Sequence, residues 1–168
     1  MDVSHEWQSY NGLTMYRETK MEIRLYTLSD LAGVIRLCEL EGWPGFPEDP
    51  PRANRALTAP GVTTMVAVDG GDVVGFAQLQ SDGEIQAHLS SIAVDPAHRR
   101  KGIGRELIVQ ALREAGGDRI DLITDSAEDF YSQLPHFRRP GFRPYPEYTG
   151  PDEYVPGLMW ERGRKVAR

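Results

Sequence analysis

The most regular apolar repeat in the chain is Ile103, Leu107, Ile108, Ala111, Leu112 and Ala115, which recur at helical spacing before Gly116-Gly117. They predict a helix with one apolar face that stops at the glycine pair. Earlier, Val62 to Val68 and Val73 to Gln80 flank Asp69-Gly70-Gly71-Asp72, and Ser81-Asp82-Gly83 leads into a third run that ends at Val94. Short apolar runs separated by turn residues predict an antiparallel meander. Arg119 to Thr124 reads as another short strand after the helix. Strand, crossover helix and strand imply parallel pairing through a right-handed crossover, and parallel strands open a cleft for a ligand.

The flanks are less regular. Met21 to Thr27 reads as a strand, and Thr27 with Asp30 resembles a capping box for a helix carrying Leu28, Leu31, Ile35 and Cys38, which should stop before Gly42 and Pro44. Asp49-Pro50 supplies an N-cap and first helical residue for a short helix through Leu57, ended by Pro60-Gly61. Ser126 with Asp129 predicts a helix carrying Phe130, Tyr131 and Leu134, and closing strands are expected around Phe142 and Leu158 to Trp160. Met1 to Lys20 is polar, with scattered Trp7, Tyr10 and Tyr16 and no sustained period, and reads as an arm of unknown role. Residues 21–168 then form a single α+β domain with a mixed, mostly antiparallel sheet.

Composition narrows the class. With 168 residues, 40% hydrophobic and 26% charged, the chain is that of an ordinary folded domain. The single cysteine, Cys38, cannot form an internal disulfide, and no Cys/His cluster has zinc-ligand spacing, so a structural metal is disfavoured and a cytoplasmic location expected. No stretch approaches the roughly 20 apolar residues of a membrane span, and Met1 to Lys20 lacks a signal-peptide core, so no membrane partner is expected. A net charge of −6 argues against nucleic acid as a partner and requires any phosphate site to be local.

One segment supplies such a site. Ile92-Ala93-Val94-Asp95-Pro96-Ala97-His98-Arg99-Arg100-Lys101-Gly102-Ile103-Gly104-Arg105 reads as a strand end, a basic glycine-containing loop and a helix start. Unpaired N–H groups and the helix dipole favour an anion there, glycines let its backbone approach a ligand, and Arg99, Arg100, Lys101 and Arg105 add charge. The letters fit neither a Walker loop nor a dinucleotide fingerprint. Arg99-x-x-Gly102-x-Gly104 resembles the acyl-CoA signature Q/R-x-x-G-x-G/A of the GNAT superfamily of N-acetyltransferases. The match extends to Ser91-Ile92-Ala93-Val94-Asp95-Pro96 before the loop, and to Phe130-Tyr131 and Gly141-Phe142 after it.

The resemblance implies a three-layer fold with a splayed parallel pair in the centre of the sheet and helices on both faces. It implies acetyl-CoA as co-substrate, with the pyrophosphate on backbone amides from Arg100 to Arg105 and the pantetheine arm on the main chain of Ile92, Ala93 and Val94. A split is therefore expected after the strand ending at Val94, beside a bulge. The acceptor would be a small-molecule or peptide amine, and a homodimer is compatible with the family. A catalytically silent acyl-CoA-binding module is the alternative.

Acetyl transfer to an amine of pKa ~10.4 needs a base for the amine and an acid for the leaving thiolate. Strand alternation sets Glu84, Gln86, His88 and Ser90 on one face if no bulge intervenes. His88, six residues before Val94, stands where family members carry a base, with Ser90 or Glu84 as a relay through solvent; a hydrogen-bonded sheet histidine is the plainer reading. Tyr131 stands where the family places the proton donor to sulfur; core packing with Phe130 is its plainer reading. Leu37 to Pro51 holds Glu39, Glu41, Glu48, Asp49, Trp43 and Phe46, which would attract a cationic acceptor or form a solvated acidic loop anchored by Trp43. Cys38 fits a buried helix position and direct transfer, and His98 is expected on the loop surface.

Overall fold

The structure, a computed structural model, describes residues 5–10, 13–18, 21–124 and 126–139, so the strands expected around Phe142 and Leu158 to Trp160 lie outside the described residues. The chain divides into two compact units, Met1–Asp121 and Leu122–Arg168. In the first, β1 (His5–Tyr10) pairs with β2 (Leu13–Glu18), and β3 (Glu22–Leu25), β4 (Val62–Asp69), β5 (Asp72–Ser81), β6 (Gln86–Val94) and β7 (Arg119–Asp121) form one sheet in that order. Pairing is antiparallel from β3 to β6 and parallel between β6 and β7. The mixed, mostly antiparallel α+β sheet expected from the sequence is present, and the parallel pair ends the described order.

Within the segment read as an arm, β1 and β2 form a two-stranded antiparallel sheet of their own. Its register runs from His5↔Glu18 to Tyr10↔Leu13. The two residues between the strands are Asn11-Gly12, the dipeptide that most favours a two-residue hairpin connection. No apolar alternation accompanies it, which is why periodicity missed the pairing.

Three helices cover the sheet of this unit: α1 (Leu31–Glu41), α2 (Pro50–Leu57) and α3 (Ile103–Ala115). Gln78 donates from Nε2 to the Ala56 carbonyl (2.9 Å) and Thr64 from Oγ1 to the Leu57 carbonyl (2.8 Å), so these strand positions face α2. Along the same face Val66, Phe76 and Ala93 pack with Val34, Leu37, Cys38 and Leu57 in the buried core. Gly75, next to Phe76, points the other way, where a Cβ would meet Leu107 Cδ1 at 3.1 Å and Ile103 Cγ2 at 3.4 Å. Thus α3 lies on the face opposite α1 and α2, its stripe of Ile103, Leu107 and Ala111 buried at helical spacing.

The helix ends follow local chemistry. Asp49 accepts from the Arg52 N–H (3.0 Å) and Pro50 opens α2, as its sequence predicts. Thr27 and Asp30 do form a capping box, but it closes a 3-10 turn, Leu28–Asp30, that leads into α1. Arg24 then grips the buried Asp30 carboxylate with both guanidinium nitrogens, at 2.7 and 2.8 Å. These bonds hold Asp30 below the usual carboxylate range against the opposing effect of burial, with the Thr27 N–H and hydroxyl assisting.

In the second unit the helix is a single turn, α4 (Glu128–Tyr131), and the strand before it ends at Asp121 rather than Thr124. Thr124 Oγ1, not the expected Ser126, accepts from the Ala127 N–H (3.0 Å). Leu134 falls outside the helix because Pro135 disfavours helical backbone at the residue before it.

Two substitutions test these contacts. A Cβ at Gly33 of α1 would stand 2.6 Å from Val73 Cβ. Helix propensity favours Gly33→Ala by about 1 kcal/mol, but overpacking costs ~1–3 kcal/mol, so urea unfolding should show a net loss. Because Asp30 has a lowered folded pKa, its contribution is present above roughly pH 4 and lost as the pH falls through the folded value. Asp30→Asn should therefore cost about 2–3 kcal/mol at neutral pH in urea unfolding. Its deficit relative to wild type should close in acid.

Candidate functional site

β6 has a strand on both sides over only part of its length. Its parallel register with β7 is Gln86↔Arg119, Ala87↔Ile120 and His88↔Asp121, and beyond His88 that edge has no strand partner among the described residues. The split expected after the strand's end therefore begins inside it, at Leu89. Gln86 pins the closed end, donating from Nε2 to Asp121 Oδ2 (2.7 Å) and accepting from Arg119 Nη2 (3.0 Å). Sequence spacing gave no sign of Asp121 or Arg119 at this place.

A bulge alters which side chains share a face. Leu79 pairs with Leu89 and Gln78 with Ser91, so Ser90 is the extra residue. The alternation that would set Ser90 beside His88 resumes at Ser91 instead. Glu84 precedes β6, in a turn where Asp82 Oδ1 accepts from the N–H groups of Glu84, Ile85 and Gln86 (2.8–3.1 Å). His88 pairs with Gln80, two residues from Gln78, and so lies on the α1/α2 face. There it lines an open depression with Gly61, Val62, Gln80, Asp82 and Gln86.

The open edge of β6 presents a definite set of backbone groups. The Asp95 N–H donates to the Val74 carbonyl (2.8 Å). Bonded pairs in an antiparallel ladder repeat every second residue, so Ala93 bonds Phe76 and Ser91 bonds Gln78. Ile92 and Val94 consequently direct their groups into the split. Arg99 Nε donates to the Val94 carbonyl (2.9 Å), and among the described residues the Val94 N–H and both groups of Ile92 have no partner.

The loop after β6 is shaped by capping and left-handed backbone. Asp95 accepts from the Ala97 N–H (3.0 Å) and closes the 3-10 turn Pro96–His98. Arg100 (φ 64°) and Gly102 (φ 83°) take left-handed conformations, and the first bond back from α3 is Glu106 N–H to the Gly102 carbonyl (3.1 Å). Among the described residues nothing accepts from the N–H groups of Arg100 through Arg105. Successive free amides at a helix N-terminus form a cradle for an anion.

The basic side chains divide. Arg100, Lys101 and Arg105 are exposed, whereas the Arg99 guanidinium is paired with Glu41 at the end of α1. His98 is not on the loop surface as expected: it is half-buried, with Nε2 3.5 Å from Asp69 and Nδ1 3.7 Å from Asp95.

Of the acidic segment, Glu41 holds Arg99 and Asp49 caps α2, while Trp43 and Phe46 pack against the core. The anchoring reading of Trp43 accounts for its place. Cys38 is buried, and desolvation, with Glu41 and Glu39 adding repulsion, pushes its thiol up to about 12. Tyr131 belongs to the second unit, half-buried edge-to-face against Phe130 (centroids 4.9 Å apart), and burial raises its pKa above that of an ordinary phenol.

A family model described as "Acetyltransferase (GNAT) family" matches residues 28–134. The chain belongs to the GNAT family. This GNAT chain is 33% identical over 132 residues to the N-alpha-acetyltransferase RimI of Mycobacterium tuberculosis, covering 71% of this chain and 82% of that protein. It is 41% identical to the mycothiol acetyltransferase of Rhodococcus jostii, over 58 residues, and spans only 19% of that relative's length. The structure of the aminoglycoside N-acetyltransferase AAC(6')-Iy in complex with CoA has the same fold, with a TM-score of 0.63 at 21% identity over 77% of this chain and 97% of that one. Among the described residues, no helix is long and apolar enough to cross a membrane, and no group of His, Cys, Asp or Glu is arranged to hold a metal ion.

The burial of Cys38 can be tested directly. In the native protein it should resist a chromogenic disulfide reagent at pH 8 and react fully only on unfolding. Stoichiometric reaction of native protein would contradict the buried thiol.

Proposed function

We propose that this GNAT protein transfers an acetyl group from acetyl-CoA to a primary amine of a small molecule or peptide, without an acetyl-cysteine intermediate. The observation that carries the reading is the row of N–H groups from Arg100 to Arg105 that have no acceptor among the described residues, in the loop that follows the open edge of β6. The amides suit a pyrophosphate and the exposed Arg100, Lys101 and Arg105 add attraction. The groups of Ile92 and the Val94 N–H suit a pantetheine amide bonded as a surrogate strand, and such N–H groups can also stabilise an oxyanion. Single, buried Cys38 asks for no oxidising compartment, and we place the reaction in the cytoplasm.

His88, which lines the open depression beside Gln80 and Gln86, takes the first amine proton, directly or through water. The neutral amine nitrogen then bonds to the thioester carbonyl carbon, the C–S bond breaks, the thiolate takes a proton from Tyr131, and the second proton, shed by the new amide nitrogen, returns through solvent to the Tyr131 phenolate. The resemblance of Phe130-Tyr131 to the family's pattern supports that role.

Calorimetric titration should show acetyl-CoA binding to wild type and its loss in the Gly102→Glu, Gly104→Glu double variant. Thiol release with a panel of amines should follow. His88→Ala and Tyr131→Phe should each lower kcat by about 10²-fold or more while binding persists. Binding without thiol release on any amine would favour the silent acyl-CoA-binding module. No binding to folded wild type would overturn the reading.

A further inference from the structure

We infer that Arg99 and Glu41 form a positioning latch that fixes the acyl-CoA loop to α1, so that Arg99 acts on the loop's placement and not as a phosphate ligand. The inference rests on the proposed binding of acyl-CoA at that loop. Arg99 has its guanidinium engaged at two points: Nε donates to the Val94 carbonyl at 2.9 Å and Nη2 pairs with Glu41. Glu41 is the last residue of α1, just before the left-handed Gly42 cap.

A second ion pair joins the same two elements with the charges reversed. Arg36 of α1 donates from Nη1 to Asp95 Oδ2 (2.8 Å) and from Nη2 to the Val73 carbonyl (2.9 Å). The other Asp95 oxygen caps the turn that opens the loop. With a cation and an anion on α1 facing an anion and a cation on the loop, sliding α1 along the loop loses attraction and brings like charges closer. The latch therefore selects one placement of the loop relative to the helix on the His88 face. It also occupies the Val94 carbonyl, so an arm in the split is left with the Ile92 groups and the Val94 N–H.

Electrostatics gives the test its sign. Glu41 is a negative charge beside a proposed polyphosphate site, so simple charge removal in Glu41→Gln should tighten acetyl-CoA binding. The latch predicts the reverse. Calorimetric titration with acetyl-CoA should give a Kd weakened about fivefold in Glu41→Gln and in Arg99→Gln, with the double variant no weaker than either single one. Arg99→Lys keeps the charge and loses the fork that reaches Val94 and Glu41 together, so it should bind as weakly as Arg99→Gln. A thermal melt of each variant shows that it is folded, and a lost stabilising contact alone would move the melt without moving the Kd.

Tight binding in Glu41→Gln together with weak binding in Arg99→Gln, or recovery in Arg99→Lys, would make Arg99 a phosphate ligand and overturn the latch. Absence of binding in wild type would overturn the functional reading and the latch with it. Binding by wild type with no effect of Glu41→Gln would overturn the latch alone.

Discussion

Backbone polar groups in a strand need partners on both edges, and β6 meets that requirement differently along its length. Toward β5 its ladder continues to Val94, with the Ser90 bulge as the interruption. Toward β7 the ladder lasts from Gln86 to His88, and the Val94 carbonyl is then taken by a side chain. Among the described residues the Ile92 pair and the Val94 N–H have no partner, and such groups suit a segment that bonds like a strand. The shortness of β7, the Gln86 clamp and the loop at Asp95 all shape this one unfinished edge.

Charge works locally in this molecule. A net charge of −6 repels polyanions at long range, but screening limits that repulsion to about 8 Å at physiological salt. Close to the loop, the free amides, the α3 dipole and three exposed basic side chains act at contact distance, where each charge-assisted bond is worth about 1.5–3 kcal/mol. Two acidic residues at the loop, Glu41 and Asp95, are themselves paired with arginines. Global repulsion is thus compatible with a local anion site.

What the sequence made legible was whatever is coded within a few residues. Asp49-Pro50 marked the start of α2, the apolar spacing from Ile103 marked α3, and the basic loop between Val94 and Ile103 lay where its letters put it. Register was not legible, because it depends on a partner strand: the Ser90 bulge and the meeting of Gln86 with Asp121 appear only when β5 and β7 are laid beside β6. The pairing of Arg99 was not legible for a related reason. Its neighbours in sequence are basic, but its partner Glu41 lies on a helix far earlier in the chain. In the second unit Pro135 outweighed the apolar spacing of Phe130, Tyr131 and Leu134, and α4 stopped after one turn.

Gly75 has a bearing beyond packing. Its missing side chain lets α3 settle on β5 so closely that Leu107 and Ile103 stand in the space a Cβ would need, and Ile103 is the first residue of that helix. The height of the helix above the sheet is thereby also the height at which its first amides are presented. A methyl group at position 75 would act as a shim under the helix, tilting the cradle from below. A residue with no polar side chain, buried on the far face of the sheet from His88, would then be felt in where those first amides stand.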